Sequence, residues 1–270
     1  MLPIVLHQVD AFAERAFRGN PAAVCPLPGP VDQDWMQALA REMNLSETAF
    51  LWPEGDAHRL RWFTPAVEVE LCGHATLASA HVLFESGAAT GDELRFATLS
   101  GELRARRAAG RTWIDLPASR PAPCPAPAGL AEALGIDPLT CARSEFDLVV
   151  DLERARDVLD LAPNIGALAD IEARGVIVTA PAESASEDDY VARFFGPRCG
   201  VDEDPVTGSA HAALLPHWSA RLNRSELIGY QASDRGGRVH GRLVGERAHL
   251  GGGAVTVARI ELSPDAAPNR

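Results

Sequence analysis

The stretch Arg61-Trp62-Phe63-Thr64-Pro65 recurs in the second half of the chain as Arg193-Phe194-Phe195-Gly196-Pro197. A glycine follows each copy in similar surroundings, in Cys72-Gly73-His74-Ala75 and in Thr207-Gly208-Ser209-Ala210. The second copy has three more residues between its arginine and its glycine. A chance match between a strand and a turn is the alternative, but two matches in the same order predict a duplication in which each copy spans about half the chain.

Each of these glycines precedes a segment that is small or apolar almost all the way round. Helices are expected at 74–86 and 209–222, and such helices must be enclosed by other structure. Gly87 ends the first helix, and Pro216 ends or kinks the second. Each half is therefore expected to wrap its strands around a central helix.

Runs that alternate apolar and polar residues predict short antiparallel strands. These runs are 5–12, 22–27, 48–52, 60–63, 67–71, 93–97, 102–106, 111–116, 175–179 and 190–195. Further helices are expected at 34–43, 130–134 and 152–161. The predicted fold class is α+β, with two similar domains related by a pseudo-twofold axis, each a curled, mostly antiparallel, barrel-like sheet around a central helix.

A proline-rich segment marks the expected boundary between the domains. Residues 117–127 contain five prolines, which lack amide donors and favour an extended conformation outside a sheet. The segment is interpreted as a linker between a first domain, 1–116, and a second domain, 117–270. The prediction also admits a variation in which the last strand of the chain packs back on the first domain.

Composition excludes several classes of function. The net charge of −12 argues against nucleic acid or an anionic membrane surface as a partner. All 25 basic side chains are arginine, and the chain has no lysine. A pyridoxal phosphate Schiff base, a lysine-type aldolase and a P-loop phosphate site each need a lysine, so these chemistries are excluded.

No motif requires a cofactor or a metal. The eight histidines include no H-E-x-x-H pattern, and the glycines at 251–253 do not open a helix as a dinucleotide fingerprint would. The five cysteines are an odd number without a C-x-x-C pair, which favours a reducing compartment. No run approaches the ~18 apolar residues of a membrane span, so a cytoplasmic protein without a membrane partner is expected.

Side chains able to move protons cluster around the two glycines. His74 lies beside the first, and Asp204 and Ser209 lie beside the second, where unpaired helix amides favour an anion. Glu47 enters an apolar strand, where a half-buried glutamate can exchange protons near neutrality. Ordinary roles fit the same residues: a solvated cap for Glu47, a satisfied core histidine, a turn start for Asp204 and a helix cap for Ser209.

Cys72 adds a second candidate for proton transfer. A thiol at a helix N-terminus is expected to have a depressed pKa, which would suit a thiolate shuttle. Its counterpart in the second copy is Thr207, with Ser209 nearby, and neither hydroxyl is acidic enough to act like a thiol. A symmetric racemase with two thiols is therefore not expected.

Six motifs together resemble one known family, the phenazine-biosynthesis-like isomerases of the PhzF type, within the wider diaminopimelate-epimerase-like fold. In chain order the motifs are His7-Gln8-Val9-Asp10-Ala11-Phe12, Gly19-Asn20-Pro21-Ala22-Ala23-Val24, Leu45-Ser46-Glu47-Thr48-Ala49-Phe50, Arg61-Trp62-Phe63-Thr64-Pro65, Leu71-Cys72-Gly73-His74-Ala75-Thr76 and Asp204-Pro205-Val206-Thr207-Gly208-Ser209-Ala210-His211. The resemblance implies two similar domains, an active site between them, usually a homodimer, and no cofactor.

The resemblance also implies the chemistry. Glu47 matches the family's general acid/base, and the other catalytic positions fall on His74, Asp204 and Ser209. The family reaction is a cofactor-free isomerisation of a dihydro-hydroxyanthranilate, in which a proton moves between carbons. A small carboxylic acid substrate is expected to dock on the amides of His74, Ser209 and two glycines. The expected binding residues are Gly73, Gly208, Cys72 and Thr207.

Two alternatives stay open from the sequence. One is a racemase or epimerase of a small amino or hydroxy acid that uses Glu47 or Cys72 on opposite faces of one carbon. The other is a non-catalytic protein that binds a small acid at the same place.

Overall fold

The computed structural model describes residues 3–89 and 91–268. The chain forms two compact units, one comprising Met1–Asp115 and Gly251–Arg270 and the other Leu116–Leu250. In the described part of the chain the helices are α1 (Gln33–Met43), α2 (Gly73–Glu85), α3 (Leu130–Leu134), α4 (Ala155–Leu159), α5 (Ile165–Leu168) and α6 (Gly208–Leu222). No helix among these residues is long and apolar enough to cross a bilayer.

The strands of the described residues follow in chain order. They are β1 (Val5–Ala11), β2 (Asn20–Pro26), β3 (Glu47–Glu54), β4 (Ala57–Phe63), β5 (Glu68–Val69), β6 (Glu93–Thr98), β7 (Gly101–Ala108), β8 (Arg111–Pro117), β9 (Ala122–Pro123), β10 (Thr140–Arg143), β11 (Asp147–Asp151), β12 (Gly175–Pro181), β13 (Tyr190–Gly196), β14 (Val201–Asp204), β15 (Glu226–Gln231), β16 (Gly237–Val244), β17 (Arg247–Gly252) and β18 (Ala254–Glu261). Short 3₁₀ turns lie at Pro197–Cys199 and Pro264–Ala266.

The sheet of the first unit is mixed and mostly antiparallel. β1 pairs antiparallel with both β18 and β2, β2 is parallel to β3, and β3 is antiparallel to β4. β4 runs parallel to β6, which continues antiparallel through β7 to β8. β1, β2, β3, β7 and β18 all contact α2, so the sheet curls around this helix as the sequence predicts.

Helix α2 is enclosed because almost every side chain is small or apolar. Its residues from Gly73 to Phe84 are buried, apart from His81 on the half-exposed side. The hydroxyls of Thr76 and Ser79 donate to the carbonyls four residues earlier, at 2.5 and 2.7 Å, and need no other partner. A buried helix of this composition holds its first turn, and therefore His74, in a fixed place.

Helix α1 positions the start of β3. The Asp32 carboxylate caps α1 by accepting from the amides of Asp34 and Trp35, and Asn44 ends the helix in the left-handed conformation. Phe50 of β3 packs with residues of α1 in a core cluster of this unit. This packing fixes the register of β3, whose first residue is Glu47.

The second unit repeats the order of the first. β11 is parallel to β12, β12 is antiparallel to β13, and β13 is parallel to β15, which is antiparallel to β16. In the first unit, β2, β3, β4, β6 and β7 have the same directions. α6 packs on β15 and β16 and continues through Pro216 to Leu222, so this proline does not end the helix. A Cβ at Gly241 of β16 would lie 2.7 Å from Leu215 Cδ1, so glycine allows the close approach.

The recurring arginines make the same contacts in both units. Arg61 binds both carboxylate oxygens of Glu68 at 2.7 Å, and its guanidinium lies 5.2 Å from the ring centre of Phe63. Arg193 binds both oxygens of Glu203 at 2.7 and 2.8 Å, and its guanidinium lies 4.9 Å from the ring centre of Phe195. The glutamates come from the short strands β5 and β14. The two similar domains predicted from the sequence are therefore present.

The expectation that the proline-rich segment 117–127 lies outside a sheet was wrong. Residues 122–123 form β9, which pairs with β10, and the amide of Cys124 donates to the carbonyl of Cys141 at 3.0 Å. A proline can occupy this position because it lies on a short outer strand, where a missing donor costs little. The segment is part of the second unit.

The units also differ from the sequence boundaries 1–116 and 117–270. β18 pairs along the whole of β1, from Val5 opposite Glu261 to Ala11 opposite Ala254, and so brings residues 251–270 into the first unit. The helix expected at 152–161 is also shorter, since α4 covers only Ala155–Leu159.

Candidate active site

Glu47 and His74 form the centre of a cluster in the first unit. Glu47 is the first residue of β3, and His74 lies in the first turn of α2. Glu47 Oε2 is 3.0 Å from His74 Nε2, and the two side chains are 18% and 6% exposed. Among the described residues, neither Glu47 Oε2 nor His74 Nε2 has a hydrogen bond of good angle. The two atoms are close enough for an ion pair, but their geometry is not that of an in-line hydrogen bond.

The other ring nitrogen of His74 faces two different groups. Nδ1 lies 3.6 Å from Cys72 Sγ and 3.3 Å from Asn20 Nδ2. Burial alone would lower the pKa of His74, but the interactions with Cys72 and Glu47 outweigh burial and raise the pKa well above its usual value. The ring therefore holds a proton readily beside the Glu47 carboxylate.

Cys72 does not have the depressed pKa expected from its place at a helix N-terminus. Burial, followed by the nearby carboxylate of Glu47, raises the pKa of the Cys72 thiol, although His74 acts in the opposite direction. Burial and a negative neighbour both disfavour the thiolate. A thiolate shuttle at Cys72 therefore has no support from the geometry.

Glu47, Cys72 and His74 are also the donor types that bind metals, with ligand atoms within 4.8 Å of one another. The imidazole stands between the other two groups, with Nε2 towards the carboxylate and Nδ1 towards the sulfur. A single ion would use one ring nitrogen together with the carboxylate and the sulfur, and would therefore replace a contact that the ring now makes.

Sequence reasoning gave no role to Asn20 and Ser46, although both stand in quoted motifs. Asn20 is fully buried at the start of β2, and its Oδ1 lies 3.4 Å from the Ser46 hydroxyl, which donates to it. The sequence Gly19-Asn20-Pro21 contained a signal for this role. A polar side chain that lies between two turn-forming residues and leads into an apolar strand must find a buried partner.

A second cluster lies in the other unit, at the turn between β14 and α6. The Thr207 hydroxyl donates to Asp204 Oδ2 at 2.5 Å. Gln231 of β15 is buried and holds the same turn: its Oε1 accepts from the amide of Thr207, and its Nε2 donates to the carbonyl of Asp204, both at 2.8 Å. No motif marked Gln231, which lies outside every stretch compared above.

Ser209 has a defined partner in this unit. Its hydroxyl accepts from Arg174 Nη2 at 2.8 Å, and the same guanidinium binds both carboxylate oxygens of Asp147, at 2.9 and 2.5 Å. The Arg174 side chain also lies 5.1 Å from the ring centre of Phe146. The serine is therefore oriented by a charged group that sequence reasoning did not identify.

Gly73 and Gly208 are the first residues of their helices. In α2 the first amide that donates to a helical carbonyl is that of Thr76, which bonds to Cys72 at 3.1 Å. In α6 it is the amide of His211, which bonds to Thr207 at 3.1 Å. The preceding amides of each helix come before this first bond, as in helix ends that bind anions. The predicted site residues therefore lie in two local clusters. One consists of Glu47, Cys72, Gly73 and His74, and the other lies at residues 204–209.

Comparisons with known proteins agree with this picture. An isomerase of Pseudomonas aeruginosa described as uncharacterised is 49% identical over 264 residues, covering 97% of this chain and all of the relative. A similarly named isomerase of Halalkalibacterium halodurans is 47% identical and covers 97% of this chain and 99% of the relative. A crystal structure of a PhzF-family phenazine biosynthesis protein from Enterococcus faecalis matches with a TM-score of 0.93 and 40% identity, over 97% of this chain and all of that chain.

The duplicated fold and these relatives define the protein as an isomerase. A model of the phenazine biosynthesis-like proteins, PhzC-PhzF, matches residues 9–259, and the chain belongs to this family.

Proposed function

We propose that the protein moves a proton between two carbons of a small carboxylic acid that resembles a dihydro-hydroxyanthranilate, with Glu47 as general acid and base and without a cofactor. The observation that carries the proposal is the half-buried Glu47 carboxylate, 3.0 Å from the buried His74 ring and without an in-line hydrogen bond. A carboxylate held this way keeps a lone pair available for a substrate proton.

The reaction balances without an external acid or base. The Glu47 carboxylate accepts a proton from one carbon, and the electron pair of the broken C–H bond delocalises along the conjugated system of the substrate. The resulting carboxylic acid of Glu47 returns a proton to another carbon, which restores the carboxylate. His74 orients the Glu47 carboxylate, because Nε2 lies 3.0 Å from Oε2.

Substrate binding is assigned to the helix ends and their neighbours. In the first cluster the amides of Gly73 and His74 bind the substrate carboxylate, and Cys72 packs beside them. In the second cluster Asp204 and Ser209 bind polar groups of a ligand, and Gly208 and Thr207 shape the turn. Arg174, whose charge is balanced by Asp147, holds the Ser209 hydroxyl in one orientation, so Ser209 offers the ligand an oriented hydroxyl.

The test is hydrogen exchange measured by proton NMR. Wild type and Glu47→Gln are incubated in D₂O with a panel of small amino and hydroxy acids that includes dihydroaromatic compounds. Wild type is expected to place deuterium on carbon in at least one compound, and Glu47→Gln to slow this by about 10²- to 10⁴-fold. The matched control is Glu54→Gln, at the exposed end of the same strand, which should exchange like wild type.

Each outcome bears on the proposal. Equal exchange rates in wild type and Glu47→Gln would remove Glu47 from the role. Loss of optical purity at a single labelled carbon would indicate a racemase or epimerase, and saturable binding without exchange would indicate a non-catalytic binding protein. The homodimer and the cytoplasmic location stay predictions from the sequence.

A further inference from the structure

Asn20 is a buried polar side chain outside the set of residues that the proposed proton transfer uses. It is the first residue of β2, its side chain is fully buried, and its Nδ2 lies 3.3 Å from Nδ1 of His74. A buried amide beside a catalytic imidazole decides which ring nitrogen carries the proton, because an NH₂ group donates and a carbonyl oxygen accepts.

The orientation of the Asn20 amide follows from its second neighbour. The Ser46 hydroxyl donates to Oδ1 at 3.4 Å, which leaves the NH₂ group directed at the ring. Ser46 directly precedes Glu47, so one short segment supplies both the group that fixes the amide and the carboxylate beyond the ring. The contacts form a chain from Ser46 through Asn20 and His74 to Glu47.

We propose that Asn20 is a positioning residue: it donates to Nδ1 and so holds the single proton of the neutral His74 ring on Nε2, facing Glu47. The importance of Asn20 for catalysis rests on the proposed function, whereas its effect on the tautomer of the His74 ring does not. With the proton on Nε2, the ring is a donor towards the carboxylate. The opposite tautomer would place two lone pairs against each other at 3.0 Å and would push the carboxylate away.

The groups around the ring also suit its charged form. When Nδ1 gains a proton, the Cys72 sulfur at 3.6 Å is an acceptor, while Glu47 balances the charge at Nε2. In the charged form the acceptor at Nδ1 is thus Cys72, whereas the NH₂ group of Asn20 donates only to the bare nitrogen of the neutral ring. The ring can gain and lose a proton there without turning away from Glu47.

The test is the tautomer of His74 in the full-length protein, measured by ¹⁵N NMR on protein labelled at its eight histidines. The His74 signals are assigned by their loss in His74→Asn, and the tautomer is determined above the pH at which the ring titrates. Wild type is expected to show Nε2 protonated and Nδ1 bare. The opposite pattern in wild type overturns the proposal without the need for any variant.

Two variants extend the test. Asn20→Asp keeps the shape but can only accept, so the proton is expected at Nδ1; Asn44→Asp, at an exposed helix end, adds the same charge and should leave the His74 pattern unchanged. Ser46→Ala removes one contact at Oδ1 and should weaken the preference for the Nε2 tautomer, whereas Ser263→Ala, at an exposed serine without a capping bond, should not. An unchanged pattern in Asn20→Asp would overturn the proposal.

Exchange rates separate this inference from the proposed function. Asn20→Asp is expected to slow carbon-bound deuterium incorporation at least tenfold, through kcat rather than KM. If wild type shows the Nε2 tautomer but labels no compound, the positioning role stands and the isomerase mechanism fails. If labelling depends on Glu47 but wild type shows the Nδ1 tautomer, only the role of Asn20 fails.

Discussion

Glu47 Oε2 lies 3.0 Å from His74 Nε2, and this contact joins the first residue of one strand to the first turn of a buried helix. The contact places a carboxylate and an imidazole, two groups that commonly transfer protons in enzymes, against each other.

Cys72→Ser separates the isomerase from a thiol-based racemase. The substitution is expected to slow proton exchange by well under the roughly 10²-fold typical of a group that transfers a proton, because burial already keeps the Cys72 thiol protonated. Exchange rates in D₂O measure this. Cys199→Ser, which removes an exposed thiol, is the control. Near-abolition of exchange in Cys72→Ser alone would favour the racemase.

The duplicated arginines differ in a way that stability measurements can detect. Arg193 donates to the carbonyls of Leu161 and Val158 in addition to its glutamate, whereas Arg61 donates in addition to the exposed side chain of Gln33. Arg193→Met is therefore expected to lower the free energy of unfolding by about 1 kcal/mol or more beyond the loss in Arg61→Met, since carbonyls lose their donor.

Urea unfolding of the two methionine variants tests this difference, and methionine keeps much of the apolar stem of arginine in each case. Equal losses would mean that the carbonyl contacts of Arg193 contribute nothing beyond the ion pair that both copies share.

The duplication is the part of the fold that sequence predicts best. The arginine, the aromatic residues and the helix-opening glycine recur because the same ion pair and the same buried helix recur. The conformation of the segment 117–127 was predicted wrongly, because prolines lack amide donors but keep their carbonyls. On an outer strand these carbonyls can still accept hydrogen bonds. Beyond residue 222 the sequence analysis gave no strand bounds and allowed only for a last strand, although β15, β16, β17 and β18 lie there among many glycines.

The site residues, like the fold, were predicted only in part from the sequence. Glu47 and His74 stand in local motifs, so their residue types and surroundings are visible in sequence. The contacts of Asn20 with His74 and of Gln231 with Thr207 join residues far apart in the chain, and only the folded sheet brings them together. The pKa of Cys72 was predicted in the wrong direction because the helix dipole is visible in sequence and the depth of burial is not.

Gln231→Leu tests the support of the second cluster. The variant leaves the amide of Thr207 and the carbonyl of Asp204 without the partners they have at 2.8 Å, and two such buried groups cost on the order of 3 kcal/mol together. Urea unfolding gives the loss, and faster hydrogen exchange at the Thr207 amide locates it. Gln33→Leu, at an exposed position in α1, is the control. Unchanged protection at Thr207 would show that another group holds the turn.

His211 predicts how stability depends on pH. Burial lowers the pKa of His211 to about 4, although Gln231 nearby acts to raise it, and Nδ1 lies 2.9 Å from its hydrogen-bond partner, the Tyr190 hydroxyl. In the unfolded chain the pKa is about 6.5. Between these two values the unfolded chain binds a proton that the folded protein does not, so stability falls as the pH drops from about 6.5 to about 4.

The loss attributable to His211 is on the order of 3 kcal/mol across that range, and none of it appears above pH 6.5. Urea midpoints of wild type and His211→Gln, measured between pH 7 and pH 4.5, isolate this contribution, because glutamine can still form a hydrogen bond with Tyr190 but does not titrate. His7, His58 and His81 also have lowered pKa values and contribute equally to both proteins. The variant should therefore lose less stability than wild type on acidification. Parallel curves would mean that the folded protein admits a proton at His211 near pH 6, and that the ring is not sealed by its neighbours.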